Sequence, residues 1–126
     1  MAIKTIGVIG AGTMGNGIAQ VCAVAGLDVV MVDISAEAVQ RGLGVVAGSL
    51  DRLLKKEKIS QADRDAAVAR IRGSTAYADL AGADLVIEAA TENESLKLRI
   101  LKEIDAIVAP TAVIASNTSS LSITKL

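Results

Sequence analysis

The stretch Ile6-Gly7-Val8-Ile9-Gly10-Ala11-Gly12-Thr13-Met14-Gly15 decides how this chain is read. The apolar, β-branched run from Ile3 to Ile9 stops at a glycine, the pattern of a strand buried on both faces. Beyond the glycines, Met14 to Ala25 carries Ile18, Val21, Cys22 and Ala25 at helical spacing, with Gly26 as its stop. Between the two lies Gly10-Ala11-Gly12-Thr13-Met14-Gly15, a Gly-x-Gly-x-x-Gly turn. Glycine triplets arise by chance, but this one directly follows a strand and opens a helix. Gly10 permits the tight turn, Gly12 puts no side chain in the way of a pyrophosphate, and Gly15 lets helix and strand pack closely. Unpaired N–H groups at the helix start, with the helix dipole, attract a diphosphate.

The second strand, Asp28 to Val32, ends at Asp33, 21 residues beyond Gly12. A carboxylate there can accept hydrogen bonds from an adenosine ribose, and it repels a 2′-phosphate, so the pattern favours NAD over NADP. The plainer alternatives are a helix-capping Asp33 and a purely structural glycine turn. FAD uses a similar turn and is not excluded by the fingerprint.

Ser35 can cap a long helix with an apolar stripe of Val39, Leu43, Val46, Leu50, Leu53 and Leu54. Gly42, Gly44 and Gly48 weaken it, so a bend or break is expected there. Ser60 and Asp63 fit a capping box for a helix through Val68 to Ile71. A short strand near Arg72 to Thr75 and another at Asp84 to Ala89 follow. From about Glu94 a helix turns Leu96, Ile100, Leu101, Ile104, Ile107 and Val108 inward and ends before Pro110. Ala112 to Ala115 is the last expected strand, and Ser116 to Ser120 a polar turn. This alternation, with near-continuous apolar strands, predicts an α/β fold: a Rossmann-type, doubly wound parallel sheet with right-handed crossovers.

Composition narrows the chemistry. The 126 residues include no histidine, one cysteine, one tyrosine and no other aromatic, so the core is aliphatic. A Ser-His-Asp or Cys-His nucleophile system and most zinc sites are excluded, and no metal site is expected. Net charge −1 leaves no electrostatic footprint for nucleic acid or an anionic membrane. The uncharged stretch between Lys4 and Asp28 is long enough to span a bilayer, but its six glycines and its polar Thr13, Asn16 and Gln20 argue against that and against a signal peptide. A cytoplasmic protein, with its lone thiol reduced, is the expectation.

Two later segments are more specific still. Val86-Ile87-Glu88-Ala89-Ala90-Thr91-Glu92-Asn93 and Ala115-Ser116-Asn117-Thr118-Ser119-Ser120-Leu121-Ser122-Ile123-Thr124, with the stretch Ile6 to Gly15, resemble the 3-hydroxyacyl-CoA dehydrogenases. That family includes 3-hydroxybutyryl-CoA dehydrogenases and the dehydrogenase part of multifunctional fatty-acid oxidation enzymes. The resemblance covers the whole chain, and the Ser-Asn-Thr-Ser-Ser stretch is its most distinctive part. It implies that Gly10, Ala11, Gly12, Thr13, Met14, Gly15 and Asp33 hold the adenosine diphosphate half of NAD. It implies that Glu92 and Lys97 contact the nicotinamide-side ribose. Ser119 would touch both the cofactor and the substrate's 3-oxygen, as the one catalytic position in the chain. Ser49 and Lys56 would contact the CoA portion of an acyl-CoA substrate.

Physical chemistry supports several of these assignments. Glu92 and Ser119 follow strand C-termini, where ligands bind in open α/β sheets. A hydroxyl there can donate to a ketone oxygen as negative charge develops. Ser49 and Lys56, seven residues apart, share a helix face. Plainer readings stand beside them: Ser116, Thr118, Ser120 and Ser122 as turn and cap residues, Lys55, Lys56 and Lys58 as a solvated helix end, and Lys97 paired with acids on its own helix. Glu88 could brace a ligand-binding loop or snorkel outward. Cys22, on the helix's apolar stripe, is expected to be buried.

The resemblance also implies a catalytic histidine, a glutamate that orients it, and a helical domain that completes the substrate site and a homodimer. All come later in the family's chains. No residue here can replace that base within reach of the substrate hydroxyl. The expectation is therefore the N-terminal part of a 3-hydroxyacyl-CoA dehydrogenase, truncated before the later strands and the C-terminal domain. It would bind the dinucleotide, show no turnover alone, and expose apolar surface where the missing parts pack. Two other readings stay open: a different hydroxy-acid dehydrogenase of similar fold, such as a sugar-acid or 3-hydroxyisobutyrate type, or a non-catalytic dinucleotide-binding or structural module.

Overall fold

A computed structural model describes residues 3–89, 94–116 and 122–124. Strands β1 (Thr5–Ile9), β2 (Asp28–Val32), β3 (Ile71–Ser74), β4 (Leu85–Glu88), β5 (Val113–Ser116) and β6 (Ser122–Thr124) form one sheet in the order β3-β2-β1-β4-β5-β6. The first five are parallel, and β6 runs antiparallel along the outer edge of β5. Helices α1 (Thr13–Val24), α2 (Ala36–Lys55), α3 (Gln61–Arg70) and α4 (Glu94–Ile107) connect the parallel strands. The chain thus starts in the middle of the sheet, winds outward through β2 and β3, and returns to wind the other way through β4 and β5. The change of direction lies between β1 and β4, and ligands bind at such a switch point in open α/β sheets.

The expected strands and helices are present within one or two residues of their bounds, with two additions; of the expected polar turn at Ser116 to Ser120, Ser116 ends β5 and the rest lies outside the described residues. A 3-10 turn at Tyr77–Leu80 and strand β6 are absent from the sequence reading. The 3-10 turn holds Leu80, fully buried under Gly7 and Val86, and a Cβ on Gly7 would lie 2.5 Å from Leu80 Cδ2. Strand β6 is too short and polar to carry a periodic signal; its pairing partner, the edge of β5, defines it.

Two apolar clusters sandwich the sheet. One joins Ile9, Val30, Val32, Val86 and Ile114 to Leu80, to Ile100, Leu101 and Ile104 of α4, and to Val108 just after it. The other joins Ile6, Val8, Val29 and Met31 to α1, to Val46 and Leu50 of α2, and to Ala67 of α3. The caps form as their residue types dictate: Ser35 Oγ accepts from the Ala38 amide at 3.2 Å, and Ser60 and Asp63 form a reciprocal capping box. No described helix is long and apolar enough to cross a membrane. The uncharged stretch from Lys4 to Asp28 is instead a strand, a turn and a 12-residue helix.

Two expectations are corrected. Helix α2 is continuous from Ala36 to Lys55, with no break at its glycines. Gly44 and Gly48 are uncrowded, whereas Gly42 is buried against Ala11 and Asn16 and serves packing. Helix α1 does not bury the stripe Ile18, Val21, Cys22 and Ala25. Its inner face is Gly15, Asn16, Ala19 and Ala23, while Val21 and Ala25 are exposed and Ile18 and Cys22 half-buried. The cause is Gly15: a Cβ there would overlap the Gly10 carbonyl oxygen, so the helix lies too close to β1 for anything but small residues. The larger apolar side chains turn outward, leaving Met14, Val21 and Val24 exposed.

Candidate functional site

The site is built on the C-terminal ends of β1 and β2. The Gly10 amide donates to the Val32 carbonyl at 2.7 Å, which carries the ladder one residue past the end of β1. Gly10 then takes φ 107°, a conformation open to glycine and rarely to other residues, and the chain turns into α1. Gly12 is the N-cap of α1 and has no side chain to satisfy the first amides of the helix. Amides in a helix's first turn lack intrahelical acceptors and aim along the axis, out of the N-terminus. A Cβ on Gly12 would meet no atom of the described residues within 4 Å, so among them the space over the turn is open. These features fit a diphosphate: donors, a favourable dipole and room for close approach.

Asp33 adjoins this turn. Its Oδ2 accepts from the Ala11 amide at 3.1 Å and its Oδ1 from the Ser35 amide at 3.1 Å. The carboxylate therefore fastens the glycine turn to the start of α2. It is half-buried, and each oxygen keeps a lone pair for a hydroxyl. Asp33 is not the cap of α2, a place Ser35 takes; it shapes the loop before that helix and faces the glycine turn.

The remaining expected positions scatter. Met14 is exposed at the start of α1. Ser49 is half-buried on α2, and Lys56 is its exposed C-cap. At about 1.5 Å per residue they lie about 10 and 20 Å farther along the axis than Gly42, where α2 meets the turn. Lys97 falls in the first turn of α4. Glu92 and Ser119, and the side chains of Thr13 and Lys97, lie outside the described residues.

Asn16 and Gly42 adjoin the turn and Tyr77 stands within reach of the Asp33 charge, and none of the three carries a site signature in the sequence. Asn16 is buried beneath the turn, and its Oδ1 has no hydrogen-bond partner among the described residues. Gly42 touches it from α2. Tyr77, the only aromatic residue, is half-buried, and its phenol is pushed up by burial and by the charges of Glu103, Asp33 and Glu88. Glycine spacing in a helix is the available sequence signal for Gly42, and by propensity alone it counts as weakness. Glu88 ends β4 fully buried, paired in register with Ile9 and Ser116, so it does not snorkel outward. Cys22 is half-buried rather than buried, beside Met14, Gly17, Ile18 and Val21 on the outer face of α1. Burial still pushes its thiol up.

Comparison with known proteins agrees with this architecture. The chain is 47% identical over 124 residues to 3-hydroxybutyryl-CoA dehydrogenase of Bradyrhizobium diazoefficiens, covering 98% of this chain and 42% of that protein. It is 40% identical to the fatty acid oxidation complex subunit alpha of a Psychrobacter species, covering 98% of this chain and 17% of that protein. The crystal structure of (S)-3-hydroxybutyryl-CoA dehydrogenase from Ralstonia eutropha superimposes with TM-score 0.91 at 66% identity, covering 99% of this chain and 44% of that one. The chain thus spans well under half the length of these relatives. Residues 5–126 match the family described as 3-hydroxyacyl-CoA dehydrogenase, NAD binding domain. With its glycine turn, its β2 aspartate and its switch point between β1 and β4, the chain belongs to the 3-hydroxyacyl-CoA dehydrogenases and represents their NAD-binding domain.

Proposed function

We propose that the chain supplies the NAD-binding part of an enzyme that oxidises (3S)-3-hydroxyacyl-CoA to 3-oxoacyl-CoA. The observation that carries this reading is the Gly10–Gly15 turn, open above Gly12 and tied through Ala11 to the Asp33 carboxylate. Gly10, Ala11, Gly12, Thr13, Met14 and Gly15 hold the diphosphate through backbone amides. Asp33 accepts from the adenosine ribose and disfavours a 2′-phosphate. Glu92 and Lys97 act on the nicotinamide-side ribose, and Ser119 donates to the substrate's 3-oxygen and touches the cofactor. Ser49 and Lys56 contact the CoA portion. When bound, NAD supplies the hydride acceptor.

The chain contains no histidine, and neither Ser119 nor Asp33 can serve as the base for the 3-hydroxyl proton. The chain on its own therefore binds NAD without turning over substrate. In the whole enzyme, a cytoplasmic homodimer, the base and the rest of the acyl-CoA site come from elsewhere in the protein. Calorimetric titration of the 126-residue chain with NAD and with NADP tests the binding half: NAD should bind and NADP should bind more weakly. A parallel assay with acetoacetyl-CoA and NADH tests the other half. Turnover by this chain, or no affinity for NAD, overturns the proposal.

A further inference from the structure

Helix α2 approaches the glycine turn at one position, Gly42. A Cβ there would lie 2.7 Å from Asn16 Oδ1 and 3.0 Å from both the Cβ and the carbonyl oxygen of Ala11. Two of these three atoms are fixed by the backbone, since Ala11 is the second residue of the turn. The third belongs to a side chain packed in the interior, its oxygen without a hydrogen-bond partner among the described residues. None of them can yield by swinging into solvent. Ala11 is also the residue whose amide donates to Asp33 Oδ2, while Asp33 Oδ1 accepts from Ser35, the N-cap of α2. The contacts form a closed loop: turn to Asp33, Asp33 to the start of α2, and α2 back to the turn at Gly42.

From this loop we infer that Gly42 is a positioning residue for dinucleotide binding. It does not touch the cofactor. It lets α2 close on Ala11, and that contact sets where the Ala11 and Gly12 backbone stands relative to the Asp33 carboxylate. A larger residue at 42 pushes either α2 or Ala11 away and opens the loop at the Ala11–Asp33 hydrogen bond. The inference rests on the NAD-binding reading proposed above. The other interior glycines of the same helix behave differently, because a Cβ on Gly44 would meet no atom of the described residues outside its own helix within 4 Å and one on Gly48 only the end of Arg52 at 4.0 Å.

The test compares Gly42→Ala with Gly44→Ala in the 126-residue chain. Kd for NAD is measured by titration, and the amide shift and hydrogen exchange of Ala11 are followed by NMR without cofactor. Alanine is the better helix former at both positions. Gly44→Ala should bind NAD like the parent. Gly42→Ala should raise Kd by about tenfold or more, and its Ala11 amide should exchange faster. The double variant Asn16→Ala/Gly42→Ala removes the nearest clash and should recover part of the affinity. It also stands in should Gly42→Ala fold poorly, and then its Ala11 exchange must still exceed that of Asn16→Ala alone. Parent-like Kd and parent-like Ala11 exchange in Gly42→Ala, or in the double variant compared with Asn16→Ala, overturn the inference. If the parent chain itself does not bind NAD, the proposed function fails instead, and the Ala11 exchange still decides the role of Gly42.

Discussion

Ala11 and Asp33 lie 22 residues apart in the chain and 3.1 Å apart in space, amide nitrogen to carboxylate oxygen. This bond joins the two sequence features of the proposed dinucleotide site, the glycine turn and the acid after β2. It also gives the aspartate a structural duty in the absence of any ligand. Under the proposed function, mutations at Asp33 should act on two quantities, loop geometry and ligand affinity, and the two can be separated.

Asp33→Ala leaves the Ala11 and Ser35 amides without their acceptor. Loss of a hydrogen-bonded charge of this kind costs about 1–3 kcal/mol, discounted here because the group is half-exposed. Denaturant unfolding should show the loss. Asp33→Asn retains one acceptor oxygen and removes the charge, so it should weaken NAD binding less than alanine and narrow the preference for NAD over NADP. Titration with both dinucleotides checks this, and an unchanged NAD/NADP ratio would refute the electrostatic role.

Gly12→Ala should separate binding from folding. The backbone there has φ −83° and ψ −170°, open to any residue, and the added methyl meets no atom of the described residues within 4 Å. Stability should stay within about 0.5 kcal/mol of the parent. NAD affinity should fall by about tenfold or more, because the methyl occupies the diphosphate's space. Equal affinity would mean that the diphosphate does not sit over Gly12.

Gly15→Ala should disrupt the turn itself, since its Cβ overlaps the Gly10 carbonyl oxygen. Gly17→Ala, one half-turn along the same helix and unobstructed, provides the contrast. It should stabilise the chain by about 0.5–1 kcal/mol, the usual gain of alanine over glycine in a helix. Thermal unfolding of the two variants should move in opposite directions.

Asp84 governs part of the acid response. Its carboxylate is held below the usual range by hydrogen bonds from the Lys4 and Thr5 amides, at 2.9 and 3.0 Å, with a smaller contribution from the Lys4 charge. A depressed carboxylate stabilises the fold fully above its unfolded value of about 3.9. That contribution disappears as pH falls through the lower folded value. Asp84→Asn should therefore be less stable than the parent near neutrality. The gap should close as the pH drops below about 4, which acid titration of unfolding would reveal. A gap independent of pH would assign the loss to geometry rather than to charge.

Much of this molecule was legible in the sequence. The order of strands and helices, the Gly10–Gly15 turn, Asp33 at the end of β2 and the Ser60–Asp63 box are local patterns. Their physics acts between residues close in the chain: β-branched runs, the conformational freedom of Gly10, a hydroxyl within reach of an amide three residues on. What was misread depended on distances between elements. Hydrophobic periodicity marked Ile18, Val21, Cys22 and Ala25 as the inner face of α1, but periodicity does not report how near a helix lies to its sheet. Contact between Gly15 and the Gly10 carbonyl sets that distance, and at such close range only Gly15, Asn16, Ala19 and Ala23 fit inside. Likewise a glycine in mid-helix counts as a defect by propensity alone. Only the approach of α2 to Ala11 turns Gly42 into a packing requirement, because van der Waals exclusion acts between atoms brought together by the fold and leaves no periodic trace in the sequence.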